Sequence, residues 1–351
     1  MGQYETFEKL VDQYNTVIVE AIVDLQYKKD NNFWEKFGEE GRKNRHIDAS
    51  YHLPFLREAV LLGDTEIFID YIDWARQLFA SNNLPDEKLK EAIIFFSDIL
   101  QKKMPVSLHD LFIPVIKAAL LRFEKPVLQN RSFIDTSTSV GKLADAYTRE
   151  LIKGNRKIAA EMVHKAVAEG MSIKSIYLDV FQSSQYEIGR LWVTNQISVA
   201  TEHYCSAATQ SIMSQLYPYL FTTRRIGKKM VAACVGGELH EIGIRMVADF
   251  FEMDGWDTYY LGANSPADSI LKAVDEYNAE LICLSAAMPY HLRLVKETIS
   301  QIRSNQTGKK VKIMIGGRAF NSQNDPSSTF EADGYAPDAQ QAVSLATKIL
   351  S

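Results

Sequence analysis

The sequence predicts a multi-domain protein of α and α/β class: a helical amino-terminal domain over residues 1–130, a second helical block over 131–222, and an open parallel sheet with crossover helices over 223–351. Three observations predict this. Residues 5–130 place apolar side chains at helical spacing, as in Phe55, Leu56, Ala59 and Val60, then Ile67, Ile69, Tyr71, Ile72, Ala75 and Leu78. The polar stretch QNRSFIDTSTSVGK breaks the pattern, and helical spacing resumes from Leu143 to Tyr219. After TTRRIGKK, short β-rich runs alternate with amphipathic segments, as strands joined by helices do.

Composition bounds the function. The 351 residues are 46% apolar and 24% charged, enough to bury two or three ordinary cores and unlike a disordered chain. A net charge of -5 offers no clustered basic face for phosphate backbones, so direct nucleic-acid binding is not expected. The segment MGQYETFEKLVDQYN lacks the pattern of a signal peptide, and no run of about 18 apolar residues exists to span a membrane. Cys205, Cys234 and Cys283 have no metal-type spacing and are odd in number, which fits a reducing cytoplasm.

The expected strands are MVAACV, DTYYLG, LICLSAA and VKIMIGG, separated by helices such as IGIRMVADFFEMDG and PADSILKAVDEYNA. Ligands of such sheets sit beyond the carboxyl ends of the strands. Directly after the first strand comes GGELHEIG, in which Glu238, His240 and Gly243 stand as E-x-H-x-x-G in the loop that opens the first helix. A lone histidine is more often a surface or core residue than a ligand. The neighbours favour a ligand, because a carboxylate two residues away can accept the second ring N–H, fix the tautomer and raise the imidazole's basicity toward a metal. Gly243 leaves room for close backbone approach.

These residues resemble the cobalamin-binding domains of methionine synthase, corrinoid methyltransferases, mutases and cobalamin photoreceptors. That family carries D-x-H-x-x-G, a small-residue cluster after the third strand and Gly-Gly after the fourth. Here Ser285-Ala286-Ala287-Met288, Gly316-Gly317 and Gly334-Tyr335-Ala336 follow in order. The resemblance implies a Rossmann-like (flavodoxin-like) cobalamin-binding domain in which His240 is the lower cobalt ligand, displacing the nucleotide base. It also implies that Ser285, Gly316, Gly317 and Tyr335 line the slot for the nucleotide tail, with Met288 beside it. Glu238 departs from the usual Asp by one methylene.

The block 131–222 occupies the place of the four-helix-bundle cap of methionine-synthase-type corrinoid proteins. Trp192 is followed by Glu202-His203, a W-x9-E-H spacing similar to that of CarH-type adenosylcobalamin photoreceptors, where these residues shape the adenosyl pocket. Core aromatic and solvated pair are the plain alternatives. DNA-binding members carry a His directly after the Trp; here Val193 stands there, and no helix-turn-helix precedes the cap.

The amino-terminal domain is dense in aromatic and basic residues around Phe33, Trp34, Phe37, Tyr51 and Phe55. Its arrangement ahead of the cap looks like the photocobilins, which hold biliverdin beside cobalamin. Arg42, Arg45, His46 and His52 are the candidates for a bilin's propionates and pyrrole nitrogens, since guanidinium grips carboxylates bidentately. Ordinary packing and a solvated basic face remain the alternative. The resemblance as a whole implies a cytoplasmic photosensor rather than an enzyme, a dimer or the bearer of a separate signalling partner, with adenosylcobalamin and biliverdin as chromophores. The rival reading is a corrinoid protein that carries methyl groups for partner methyltransferases.

Overall fold

The structure is a computed structural model and describes residues 2–127, 131–321 and 325–350. It divides into two compact units, Met1–Asn130 and Arg131–Ser351.

The first unit is helical. Its main helices are α1 (Gln3–Lys29), α2 (Gly38–Ser50), α3 (His52–Leu62), α4 (Glu66–Ser81), α5 (Asp86–Lys103) and α6 (His109–Leu121). Helix α4 shows why they pack: Ile67, Phe68, Tyr71, Ile72, Ala75 and Phe79 recur at three- and four-residue steps and are all buried. Gly63 closes α3 in the left-handed conformation that a C-terminal cap requires.

The second unit begins with four antiparallel-bundle-length helical segments. These are α7 (Ser139–Ile152), α8 (Arg156–Ala168), a third segment ending in α9 (Ser183–Val193), and α10 (Val199–Gln215). Thr138 and Ser198 cap α7 and α10 by accepting the Gly141 and Thr201 backbone N–H groups. The third segment runs through a π-helical stretch, Ile176–Gln182, which turns Tyr177 and Phe181 into the core.

The sheet follows, with β1 (Lys229–Val235), α11 (Ile242–Met253), β2 (Asp257–Ser265), α12 (Ala267–Tyr277), β3 (Leu281–Ser285), α13 (Leu292–Ser304), β4 (Lys312–Gly316), β5 (Gly334–Ala336) and α14 (Ala339–Ile349). Strand order is β2-β1-β3-β4-β5 and every pair is parallel. The five-stranded sheet under a helical cap is the expected Rossmann-like architecture. The four anticipated strands are present, while Gly334–Ala336 adds a fifth that three residues without alternation did not announce. Strands β1 and β3 are buried along almost their whole length, because helices cover both faces, whereas edge strand β2 is largely half-buried.

Strand order reverses between β1 and β3, which opens a crevice at their carboxyl ends. The loops 236–241 and 286–291 lie there.

A carboxylate-held imidazole at the switch point

Three strands hold the loop that carries His240. Gly237, at φ +79°, makes the turn after β1, a conformation that an L side chain adopts only with strain. Its N–H donates to Asn264 Oδ1 at 2.7 Å, and the Asn264 N–H donates to the Glu238 carbonyl at 2.9 Å, tying the loop to β2. The tie to β3 is Glu238 itself.

Glu238 is fully buried, and both its oxygens are occupied. Oε1 accepts from the His240 backbone N–H at 2.9 Å and lies 2.6 Å from His240 Nδ1. Oε2 accepts from the Ala287 and Met288 N–H groups at 2.7 and 3.2 Å and lies 3.0 Å from His291 Nδ1. Burial alone would raise this carboxyl's pKa. The hydrogen bonds from His240 and His291, with the charge of His240, outweigh that and hold it far below the usual carboxylate range. An ionised Glu238 therefore accepts the Nδ1 proton of His240 and leaves Nε2 with a lone pair on a ring that is 60% exposed. The hydrogen bond to Glu238 raises the His240 pKa, and burial partly opposes it. The longer arm of Glu is accommodated: one oxygen serves the imidazole while the other clamps the loop after β3.

Sequence reasoning did not single out His291, whose link to Glu238 spans 53 residues. Glu241 was also missed. Its Oε2 accepts from Tyr260 Oη at 2.8 Å and the Ala263 N–H at 3.0 Å, and its Oε1 accepts from Gln210 Nε2 of α10 at 3.2 Å. Cap and sheet meet further along through Arg245, which donates to the Gln210 carbonyl at 3.1 Å and Ser214 Oγ at 2.7 Å, and through Tyr177, whose hydroxyl donates to Asp249 Oδ2 at 2.8 Å.

The remaining motif residues fall into two groups. Ser285 and Gly316 end adjacent strands and Tyr335 lies within the next: Ser285 pairs with Gly316, and Ile315 with Tyr335. Gly317, at φ +107°, follows at once, and a Cβ there would lie 2.3 Å from the Ala286 carbonyl oxygen, so the fold itself demands glycine. Gly243 instead lies in the first turn of α11, with open space where its Cβ would be. Tyr335 Oη donates to Asn321 Oδ1 at 3.2 Å. On the cap, Trp192 is 44% exposed at the end of α9, and Glu202 and His203 lie in the first turns of α10.

Among the described residues, no group of three or more His, Cys, Asp or Glu side chains could hold a metal ion. A single imidazole with its tautomer fixed suits a metal that brings its own ring of ligands, as a corrin does. The donor set and the open space over Gly243 fit that group.

In the first unit the four basic candidates separate. Arg45 and His52 line one buried cavity with Gln26, Asp48, Tyr71 and Trp74, whereas Arg42 and His46 do not line it. Arg42 pairs with Asp24 at 2.6 Å and lies over the Tyr27 ring, and His46 Nδ1 contacts the Arg42 carbonyl at 2.9 Å within α2. His52 Nδ1 lies 2.5 Å from Tyr71 Oη, and burial, helped by the charge of Arg45, lowers its pKa to about 3. Arg45 pairs with Asp48 at 2.6 Å, but its Nη1 is buried without a hydrogen-bond partner. This cavity holds about 10 Å³ and a neighbouring one beside Trp34 and Arg45 about 110 Å³. Both fall well short of the roughly 300–1,000 Å³ usual for ligand pockets, so neither of these two cavities holds a linear tetrapyrrole without widening.

Comparison with known proteins bears on the cofactor. Residues 228–344 match the sequence model of a family described as B12 binding domain, and residues 143–217 match a second model of the same description. A corrinoid protein of Desulfitobacterium hafniense is 25% identical over 221 residues, which cover 59% of this chain and 97% of the relative. A dimethylamine corrinoid protein of Methanosarcina acetivorans is 25% identical over 191 residues, 54% of this chain and 82% of the relative. Methionine synthase of Mycobacterium leprae is 25% identical over 127 residues, 35% of this chain and 10% of the enzyme. The structure of the Methanosarcina barkeri monomethylamine corrinoid protein shares the fold, with a TM-score of 0.52 and 20% identity over 63% of this chain and 100% of its own.

These relatives overturn one expectation. A photosensor that is not an enzyme does not accord with a set of corrinoid proteins that includes methionine synthase, and the CarH-type and photocobilin resemblance finds no support in them. No described helix is long and apolar enough to cross a membrane. By its two matched domains and its corrinoid relatives, the chain is a cobalamin-binding protein.

Proposed function

We propose that this chain is the corrinoid-carrying component of a methyl-transfer system, serving partner methyltransferases. The observation that carries the reading is the buried, ionised Glu238 holding His240 so that Nε2 faces outward from the β1 loop at the sheet's switch point. Corrinoid relatives such as the dimethylamine corrinoid protein support it. When bound, the corrin supplies a cobalt that accepts a methyl group on one face and gives it up again.

The residues have separate tasks in this reading. His240 Nε2 would hold the cobalt, and Glu238 would keep the Nδ1 proton in place and balance the charge of the ring when it is protonated. Ser285, Gly316, Gly317 and Tyr335 border the tail, with Met288 held by its backbone bond to Glu238. Trp192, Glu202 and His203 screen the upper face from water until a partner arrives.

The test is direct. Protein loaded with methylcobalamin is mixed in the dark with a cognate methyltransferase fraction and a thiol. Loss of the methyl–cobalt absorption with formation of the methyl thioether supports the reading; a methylated protein that stays inert with every such fraction contradicts it.

A second reading concerns which groups are bound. The W-x9-E-H spacing with an exposed Trp192 favours an adenosyl upper group. The unpartnered Nη1 of Arg45 favours a carboxylate-bearing chromophore such as biliverdin, which would have to open the first unit. Absorption spectra taken with each compound, on the wild type and on Arg45→Ala, separate these from a protein that takes up only methylcobalamin.

A further inference from the structure

Arg245, Asp249 and Glu252 follow one another along α11 at steps of four and three residues, so they share a face, and they are only 8%, 5% and 9% exposed. Charged side chains are seldom buried this deeply without a fixed partner. Glu252 has one, for it accepts from Thr258 Oγ1 at 2.9 Å and pairs with Arg225. Arg245 reaches across to the cap instead. Its Nη1 donates to the Gln210 carbonyl at 3.1 Å, and its Nη2 to Ser214 Oγ at 2.7 Å and Tyr217 Oη at 3.2 Å. All three acceptors are uncharged, and Arg245 Nε is buried without a hydrogen-bond partner.

Asp249 stands one helical turn away from this unfilled donor, with its Oδ2 accepting the Tyr177 hydroxyl at 2.8 Å. Opposite charges four residues apart on a helix normally meet. Among the described residues, these two form no ion pair. Burial explains it: the Asp249 carboxyl is pushed up to about 6, with Glu252 adding to the rise against Tyr177 and Arg245. A neutral carboxyl competes poorly for a guanidinium that already has three acceptors. An ionised one competes well, because that bond is charged on both sides.

Other titratable groups face the same seam. Lys174, on the segment that carries Tyr177, pairs with Asp254 at 2.8 Å, and Arg225 pairs with Asp257 as well as Glu252. Of Asp249, Glu252, Asp254 and Asp257, Asp249 alone has no cation paired with it. At the start of α11, Glu241 accepts from Tyr260 Oη. His164 of α8 contacts Gln215, next to Ser214, at 2.9 Å. The buried face of α14, formed by Ala342, Val343 and Ala346, is apolar.

We propose that Arg245 is a two-position switch between cap and sheet, set by the proton on Asp249. With the proton present, the guanidinium stays on Gln210, Ser214 and Tyr217 and ties the carboxyl half of α10 to α11. When the proton leaves to solvent, Arg245 Nε turns to the carboxylate one turn along its own helix and the bonds to the cap are given up. The change reaches the imidazole loop, because the Gln210 whose carbonyl holds Arg245 also donates from its side chain to Glu241, the neighbour of His240. The cap therefore holds that loop firmly in acid and loosely above neutrality. This goes beyond the carriage of methyl groups, since it concerns when the cap is held and not what the site carries.

The full chain labelled with nitrogen-15 in arginine and with 3-fluorotyrosine reads both ends of the switch. The Nε–H signal absent from Arg245→Lys is that of Arg245. In wild type it is expected to shift downfield as pH rises, with a midpoint at about 6, and the fluorine signal of Tyr217 is expected to shift with the same midpoint. Asp249→Asn keeps the shape and the acceptor for Tyr177, and both signals are expected to stay at their acid positions throughout. In His164→Gln both should move as in wild type. A wild-type Arg245 signal that stays still, a shift that survives in Asp249→Asn, or one that His164→Gln abolishes would each overturn the switch.

Discussion

Glu238 is the residue on which the site turns. It accepts two backbone N–H groups from the loop after β3, one from its own loop, and a proton from each of two imidazoles. Removing it leaves these donors buried without an acceptor, at about 1–3 kcal/mol for each group that water does not reach. Glu238→Ala is therefore expected to lower both folding stability and corrinoid affinity, the latter by about 10–100-fold. Glu238→Asp, with a shorter arm, should lose the clamp to Ala287 and Met288 before it loses the bond to His240. Chemical denaturation alongside corrinoid titration measures the two effects separately. His240 could be read from sequence because its partner is two residues away and its glycine three. His291 and Gln210 could not, because their roles arise only where the chain returns 53 and 31 residues away.

At the scale of elements, the two conspicuous glycines differ. Gly317 combines positive φ with a backbone oxygen in the place of a Cβ, so Gly317→Ala is expected to destabilise by roughly 1–3 kcal/mol whether or not a ligand is present. Gly243 faces open space in a helical turn, and Gly243→Ala should gain about 0.5–1 kcal/mol of stability. Any loss of corrinoid binding in that variant is then due to the added methyl meeting the ligand. Thermal melts of both variants, with and without corrinoid, decide it.

The seam between cap and sheet makes a pH-dependent contribution. Burial raises the Asp249 carboxyl to about 6 against the pull of Tyr177 and Arg245, and Glu252 pushes it further up. Because the folded value lies above the unfolded one, this group favours folding fully below about pH 4, and the contribution is lost as pH rises through about 6. Asp249→Asn keeps an acceptor for Tyr177 without the charge. It is expected to be more stable than wild type at about pH 8, by on the order of 2 kcal/mol, and to lose that advantage at about pH 4. Urea midpoints across that range test the sign. None of this was legible in the sequence, where Asp249 is one acid among many on an amphipathic helix.

Across the whole molecule, sequence reasoning reached the architecture and the motif loop because both are written locally. Apolar periodicity marks the helices of both units, and β-rich runs ending in small residues mark the strands. The first unit was harder. Its aromatic and basic residues suggested one pocket, but Arg42 and His46 do not line the cavity that Arg45, on the same helix, and His52, on the next, do line, a difference of orientation that composition does not carry. The photosensor expectation went astray for a related reason: a two-part spacing on a cap, Trp192 with Glu202-His203, does not specify the chemistry done with a cofactor.

We propose that His240 replaces the nucleotide base beneath cobalt. Electron paramagnetic resonance of the cobalt(II) form, prepared once from ordinary protein and once with nitrogen-15 in every histidine, tests it most directly. The three-line nitrogen splitting of wild type is expected to become two-line on labelling and to vanish in His240→Ala. A splitting that ignores the label would mean that the nucleotide base stays on the metal and that His240 does not replace it.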